Sequence, residues 1–267
     1  THECGALEEM IEMHQYPENS IIICDRGYEK YNLMACCIEK NQKFIIRVKD
    51  IHSNGILSTM HLDDAAFDTH ITKRVTYLQT NETKDNELYT ILVNESAPFD
   101  YLPAEHDWYE MNVRAVRFKI TEDTYECLLT NLTEDEMTFE KFKEIYHLRW
   151  GIETSFRDLK YTVGLLYFHS SDQKLIRQEI YASLTLFNFS RIIVNNSPPV
   201  QKAEWKWHYK VNFKTAVTNI RLYLDGKINE EELEKRIKKF LTPIRPGRKY
   251  SRNVKAQSSK TSSYYAA

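Results

Sequence analysis

The sequence is poor in the residues that mark fibrous or disordered chains. Of its 267 residues, seven are Gly and seven are Pro, whereas Tyr occurs 17 times. Scarce Gly and Pro exclude a collagen-like or low-complexity chain, and the aromatic content argues against disorder. Because 42% of the residues are hydrophobic, a chain of this length can bury a sizeable core. We therefore expect a globular protein.

An excess of basic charge and a long apolar run are both missing. The 36 Lys and Arg against 38 Asp and Glu give a net charge of -2, so a nucleic-acid partner must be inferred from local charge. Residues 180–190, an uncharged stretch with helical periodicity, fall far short of the roughly 20 apolar residues of a membrane span, so we expect no membrane partner. The Cys residues are odd in number and lack metal-finger spacing, which favours a reducing, cytoplasmic compartment; they are Cys4, Cys24, Cys36, Cys37 and Cys127.

The first third of the chain has the pattern of a parallel βαβ unit. A compact apolar run at 20–24 predicts a buried strand, helical spacing returns over 28–40, and residues 43–49 predict a second strand. In such units the chemistry lies at the carboxyl ends of the strands. Asp25 directly follows the first strand and is therefore a candidate functional residue.

The rest of the chain changes from β to helical character. Alternating segments at 72–78, 88–93, 113–120 and 125–129 predict a β-rich region. Helical periodicity resumes after Thr138, a predicted N-cap, and runs past Lys160. Further helices are predicted over 174–194 and, capped by Asn229, over 230–241.

Two stripes follow the helix predicted beyond Thr138. An apolar stripe is expected to face the core: Phe142, Ile145, Leu148, Ile152, Phe156 and Leu159. At roughly 100° per residue, a second stripe falls within an arc of about 60° on one face: Tyr146, Arg149, Glu153 and Lys160. One interpretation of the second stripe is a solvated face with an Arg149–Glu153 pair at i,i+4.

A functional interpretation of the second stripe rests on its agreement with Asp25. An Asp at a strand end and a Glu on a helix are the ligands from which a divalent-cation site is assembled. Tyr146, Arg149 and Lys160 are residue types that hold phosphates on either side of a scissile bond. Together these residue types suit phosphodiester chemistry.

The spacing Tyr146-x2-Arg149-x3-Glu153-x6-Lys160 resembles the Tyr, Arg, Glu, Lys motif of the insertion-sequence 4 family of DDE transposases. Residues 25–28 after a buried strand resemble the second catalytic Asp of that family, and residues 44–48 resemble its next strand. The resemblance extends from residue 1 to about residue 255 and implies an α/β, ribonuclease H-like fold, incomplete at the N-terminus, with a β-rich insertion and C-terminal helices. The implied segments are 1–55 and 138–200 for the core, 56–137 for the insertion, 201–242 for a helical region and 243–267 for a basic tail.

The resemblance also implies an activity. Asp25 and Glu153 would bind two Mg²⁺ (or Mn²⁺) ions, while Tyr146, Arg149 and Lys160 would hold phosphates of the transposon end. Arg157, one turn after Glu153, is a further DNA-binding candidate. The expected reaction is metal-dependent cleavage and strand transfer during cut-and-paste transposition. The expected partners are double-stranded DNA, as terminal inverted repeats and as target, and a second copy in a synaptic homodimer, in the bacterial cytoplasm.

One departure from the family pattern affects the expected activity. No Asp precedes Asp25 in the chain, whereas a complete site takes a first Asp from the opening strand of the fold. We therefore expect an N-terminally truncated chain that by itself has little or no cleavage activity. Two alternatives stay open: a degenerate, inactive remnant that retains DNA or oligomer contacts, and an ordinary metal-dependent nuclease, which Tyr146 and Lys160 at the transposase spacing disfavour.

Other aromatic and basic residues permit two interpretations each. Trp108 either stacks on a flipped base or packs within the β-rich region. Trp205 and Trp207 alternate with lysines and either touch DNA or pack against helices. The basic tail either contacts the DNA backbone or only aids solubility; it holds Arg245, Arg248, Lys249, Arg252, Lys255 and Lys260.

Overall fold

The computed structural model describes residues 3–92, 98–104, 106–122 and 124–245. The chain forms two compact units, Thr1–Trp150 and Gly151–Ala267. In the first unit the helices are α1 (Glu3–Met13), α2 (Tyr31–Glu39), α3 (Asn81–Lys84) and α4 (Phe139–His147). Its strands are β1 (Ile21–Cys24), β2 (Lys43–Val48), β3 (Phe67–Thr76), β4 (Tyr89–Ile91), β5 (Trp108–Thr121) and β6 (Thr124–Thr130).

The strands of the first unit form one mixed sheet of six strands in the order β1-β2-β6-β5-β3-β4. β1 and β2 are parallel, with Ile21 opposite Lys43 and Cys24 opposite Ile46, and α2 connects them. The predicted βαβ unit is confirmed, because a parallel pair needs a crossover and the sequence supplies a helix there. The α/β class is confirmed as well, and the mixed sheet with its helices is consistent with a ribonuclease H-like fold.

The strands of the β-rich region join this same sheet. β6 pairs antiparallel with both β2 and β5, so it connects the parallel pair to the remaining strands. β3 pairs antiparallel with β5 over ten residues, from Phe67 opposite Arg117 to Thr76 opposite Trp108. The five-segment division of the chain stays a prediction.

The sheet of the first unit has a core on each face. Along β2, Phe44, Ile46 and Val48 belong to a cluster with the apolar face of α2, whereas Ile45 belongs to a cluster with Phe142 of α4. This division follows from the strand period of two, which sends neighbouring side chains to opposite faces. All five Cys are free and buried.

The helix predicted from Thr138 past Lys160 is interrupted, so that prediction is wrong. α4 ends at His147, and the next two N–H groups bond three residues back, Leu148 to Ile145 and Arg149 to Tyr146. A new helix, α5, covers Trp150–Arg157, and a π-helical turn covers Asp158–Val163 before Gly164 at φ 97°. Short i→i+3 bonds tighten a helix end, so a constant 100° per residue does not hold across this segment.

The predicted apolar stripe of that helix is only partly buried. Phe142 and Leu159 are buried, but Leu148, Ile152 and Phe156 are 68%, 52% and 52% exposed. For these three residues the prediction of core burial is wrong. The interruption at Leu148 and Arg149 explains the difference for Ile152 and Phe156, because its tighter i→i+3 bonds change the angle per residue before α5 begins.

The second unit combines helices with a short ribbon. Besides residues 151–157 of α5 and the π-helical turn, its helices are α6 (Gln173–Asn196), α7 (Phe213–Leu224) and α8 (Glu230–Lys239), and β7 (His208–Val211) pairs antiparallel with β8 (Leu241–Ile244). Side chains cap α6, α7 and α8: Asp172 accepts from Lys174 and Leu175 N–H, Asn212 from Thr215 and Asn229 from Glu232. The sequence patterns predicted α6 and the Asn229 cap but missed the ribbon. Within the described part of the chain, no helix is both long and apolar enough to cross a membrane.

Candidate functional site

Asp25 lies where the sequence predicts it, directly after β1. Its backbone is extended, and its Oδ1 accepts a hydrogen bond of 2.8 Å from Gly27 N–H, which starts a 3₁₀ turn over Arg26–Tyr28. The side chain is exposed. Asp25 therefore presents a carboxylate, oriented by its own turn, at the carboxyl end of a parallel strand, where α/β proteins bind ligands.

A loop after β2 is fastened next to this turn through Glu29. The Glu29 carboxylate accepts from Lys49 N–H at 2.9 Å and from Ile56 N–H at 2.9 Å. Gly55 lies so close that a Cβ there would be 2.7 Å from Glu29 Oε1 and 2.7 Å from Lys49 Cβ. A cavity of about 480 Å³ opens here, with Arg26, Lys30 and Lys49 in its wall. The surroundings of Asp25 in the first unit are thus basic.

Substitution Gly55→Ala tests this close approach. The added methyl group would meet the Cβ of Lys49, which cannot move without its backbone, so the loop must shift and weaken the two bonds to Glu29. We expect a loss of about 1–3 kcal/mol, as for an overpacked site, and faster proteolysis within residues 49–62. The measurement is urea unfolding combined with limited proteolysis. A matched Gly151→Ala variant, which has open space at its Cβ within α5, should cause no loss of stability and no faster proteolysis.

Tyr146 and Arg149 come together at the end of α4. The Tyr146 ring is buried in the core cluster of the first unit, and the Arg149 guanidinium lies 5.6 Å from the ring centroid. Arg47 of β2 and Glu126 of β6 lie in the same neighbourhood, with Arg47 Nε 2.9 Å from Glu126 Oε1. Two arginines and a carboxylate thus meet beside the Tyr146 ring.

Burial dominates the electrostatics of this cluster. Desolvation raises the pKa of Glu126, against the opposing effect of Arg47 and Arg149. Desolvation likewise raises the pKa of Tyr146, so its phenol stays protonated near neutral pH. Sequence patterns do not indicate Arg47 and Glu126 as site residues, because a single charged residue in a strand is usually one that faces solvent. The available signal is that each charge interrupts a mostly apolar strand.

The second unit holds the remaining motif residues. Glu153 and Arg157 lie on α5 with exposed side chains, and Lys160 lies, also exposed, on the π-helical turn. π-helical turns within helices occur frequently at functional sites. Asp158 of the same turn pairs with Arg191 of α6 at 2.8 Å. Glu153 was predicted to be helical, and this is confirmed.

The donor chemistry of Asp25 and Glu153 suits a hard cation, since Mg²⁺ and Mn²⁺ prefer carboxylate oxygens. In the parts of the chain that the structure describes, no group of three or more His, Cys, Asp and Glu is arranged to hold a metal ion. Two neighbouring carboxylates of the loop before β3 have other partners: Asp63 Oδ1 accepts from Ala65 N–H at 2.9 Å, and Asp64 Oδ1 lies 3.0 Å from His52 Nε2. Asp25 and Glu153 thus stay the candidates for metal ligands.

Trp108 and Trp205 both pack against neighbouring side chains. Trp108 stacks on His106 at 4.9 Å, and the Arg74 guanidinium lies 4.2 Å from its ring centroid, which favours the packed interpretation. Trp205 packs on Tyr209 at 4.4 Å and is half-buried. The basic tail beyond Arg245 lies outside the described residues.

Comparison with known families identifies the class of this chain. The family model of the transposase DDE domain matches residues 1–189, which include β1 with Asp25, α4, α5 and the π-helical turn. The chain belongs to this family of DNA transposases, whose members generally use divalent metal ions. A search among curated proteins found no match.

Proposed function

We propose that the chain is the catalytic part of a cut-and-paste transposase that cleaves and joins phosphodiester bonds at the ends of its own element. The observation that supports this most directly is the exposed carboxylate of Asp25 at the end of β1, within a segment matched by the DDE family. The insertion-sequence 4 motif supplies the finer assignment.

Each motif residue has a proposed role. Asp25 and Glu153 bind the metal ions, with Gly27 N–H holding Asp25 in one orientation. Tyr146 supports the Arg149 guanidinium, which meets a phosphate of the DNA strand, and protonated Tyr146 adds a donor. Arg157 and Lys160, both exposed on consecutive turns, hold phosphates on the other side of the scissile bond.

Bound Mg²⁺ or Mn²⁺ would supply Lewis-acid polarisation of the phosphate and a nucleophile at neutral pH. The protein's own contribution is to place the carboxylates and to neutralise phosphate charge. We further propose double-stranded DNA as partner, a homodimer that brings two ends together, and a cytoplasmic location. Because no Asp precedes Asp25, we expect little cleavage by this chain alone.

Iron-directed cleavage of the polypeptide tests the metal assignment without requiring DNA cleavage. Fe²⁺ replaces Mg²⁺ at oxygen-ligand sites and, with ascorbate and peroxide, produces radicals that cut the nearby backbone. We expect fragments ending near residues 25 and 153, which excess Mg²⁺ suppresses. Asp25→Asn and Glu153→Gln should each remove these fragments, whereas Glu140→Gln, another exposed carboxylate on a helix, should leave them unchanged.

The same experiment separates the proposed metal-dependent transposase from an inactive remnant that only binds DNA. An unchanged fragment pattern in Asp25→Asn and Glu153→Gln contradicts the metal assignment. The absence of a three-ligand cluster among the described residues favours a second candidate, an inactive remnant that only binds DNA. Duplex binding with no iron-directed fragments would support that candidate. Nicking of element-end DNA that is lost in Glu153→Gln would contradict both the remnant and the expected inactivity.

A further inference from the structure

A cavity of about 490 Å³ lies wholly within the second unit. Its wall is formed by α5 and the π-helical turn, the C-terminal part of α6, β7 with the start of α7, and Thr242 of β8. Four cations line it: Arg157, Arg191, Lys210 and Lys214. Since the family match ends at residue 189, it does not account for Arg191, Lys210 or Lys214.

The cavity carries uncompensated positive charge. Asp158 is the one acidic side chain among the described residues that line it, and Arg191 pairs with it at 2.8 Å. Arg191 is held further by the Phe213 ring, 4.0 Å from its guanidinium carbon. Arg157, Lys210 and Lys214 are exposed, and no acidic partner for them is found in the described part of the chain. Three positive charges are therefore in excess.

Placing these cations together costs free energy in the unbound protein. Lys214 occupies the first turn of α7, where the helix dipole disfavours a positive charge. Like charges around one concave surface repel each other, and the cavity walls focus their potential toward an anion. This arrangement of charges favours a bound anion.

The charge also extends beyond the cavity, which favours a polymeric anion over a small one. Residues 180–224 contain six Lys and Arg and a single acidic residue, Glu204. Lys206, exposed, precedes β7, and His208 at the start of β7 pairs with Ile244, which brings the exposed Arg245 to the same end of the ribbon. A row of cations along an edge matches the repeating charge of a nucleic-acid backbone.

We propose that this cavity, which we call the α5–β7 phosphate site, binds backbone phosphates of duplex DNA through Lys210 and Lys214, beside Arg157, to which the proposed function already assigns a phosphate. This proposal rests on the proposed function only for the identity of the DNA. Contacts of this kind carry no sequence information but fix the position of the duplex on the protein. The site would hold DNA to the second unit beside the helix that carries Glu153.

Salt-dependent binding of a labelled duplex by the full chain tests the site. The variant is Lys210→Gln with Lys214→Gln, and the matched control is Lys235→Gln with Lys239→Gln, two exposed lysines of α8 in the same unit. Fluorescence anisotropy is measured with a random-sequence duplex of about 30 base pairs between about 50 and 200 mM NaCl. Circular dichroism checks that both variants fold.

Each lost phosphate contact should reduce the slope of log affinity against log salt by about 0.9, so the double variant should lose nearly 2 in slope. At about 0.1 M salt its affinity should fall at least tenfold, while the control keeps the slope and affinity of the original chain. An unchanged slope in the variant, or an equal loss in the control, overturns the proposal. Binding of inorganic pyrophosphate is measured for the same two variants. If Lys210→Gln with Lys214→Gln loses pyrophosphate binding but binds the duplex as the original chain does, the proposal is also overturned, because the site would then serve a small anion.

These outcomes are independent of the proposed chemistry. Neither Asp25 nor Glu153 lines the α5–β7 phosphate site. If iron-directed cleavage fails but Lys210 and Lys214 still control duplex binding, the proposed catalysis is wrong and the site stands. If iron cuts the chain as expected but the lysine variant binds normally, the site is wrong and the catalysis stands.

Discussion

An Arg114→Met variant should lose about 3 kcal/mol of unfolding free energy in the first unit, because Arg114 is buried and its loss leaves partly buried acceptors without a donor. Arg114 of β5 is 1% exposed. Its Nε lies 2.6 Å from Asp68 Oδ1, its Nη2 lies 2.5 Å from Asp68 Oδ2, and its Nη1 donates to Met137 O at 2.7 Å. Methionine fills a similar volume but leaves Asp68 and the Met137 carbonyl without their donors. Urea unfolding followed by circular dichroism measures the loss.

Two further variants test whether the loss of stability in Arg114→Met arises from the burial of Arg114. Lys43→Met breaks the ion pair with Glu136, whose atoms are 2.8 Å apart but whose side chains are 25% and 38% exposed. That loss should stay below about 1 kcal/mol, as for exposed pairs. Arg114→Met combined with Asp68→Leu should recover part of the stability, because no unpaired carboxylate remains. Equal losses in Arg114→Met and Lys43→Met would contradict the assigned role of Arg114.

Arg114 also shows where sequence patterns stop being informative. In a strand such as β5, alternation separates the two faces but does not say which charged residues are buried. Arg114 and Arg117 look like solvent-facing residues in the sequence, yet both are almost fully buried, and so is Lys73 of β3. Their partners Asp68, Asp50 and Thr59 lie 46, 67 and 14 residues away. Pairings over such distances in sequence follow from the sheet order, which local patterns do not determine.

The candidate site likewise contains features that local sequence patterns predict and features that they do not. Asp25 at the end of β1 was predictable, because a compact apolar run before an Asp and a helical pattern after it define a βαβ unit locally. The break at Leu148 and Arg149 was not, since each residue there is compatible with a helix and tertiary contacts decide where the helix ends. The Arg47–Glu126 pair could not be predicted either, because it depends on the position of β6 beside β2.

Arg117→Met should also cost about 3 kcal/mol, and it should change the acid sensitivity of the first unit. Arg117 Nε and Nη2 donate to the two Asp50 oxygens at 2.7 and 3.0 Å, and its Nη1 donates to Ala65 O at 3.1 Å. This single side chain thus joins β5 to the loop after β2, the same loop that Glu29 fastens beside Asp25. Loss of Arg117 should therefore loosen the surroundings of Asp25 as well as the sheet.

The pH dependence follows from the pKa of Asp50, which the bond from Arg117 lowers from 3.8 to about 2. A carboxyl whose pKa is lowered by folding stabilises the folded state above its unfolded pKa and loses that contribution as the pH falls through the folded value. For the partly buried Asp50 this contribution is on the order of 1–2 kcal/mol, present above about pH 4 and lost toward pH 2. Unfolding free energies at about pH 7, 4 and 2.5 should fall less steeply below pH 4 in Arg117→Met than in the original chain, because the variant has already lost this contribution. Asp50→Asn should show the same reduced slope, and a slope unchanged in both variants would contradict the role of this pair.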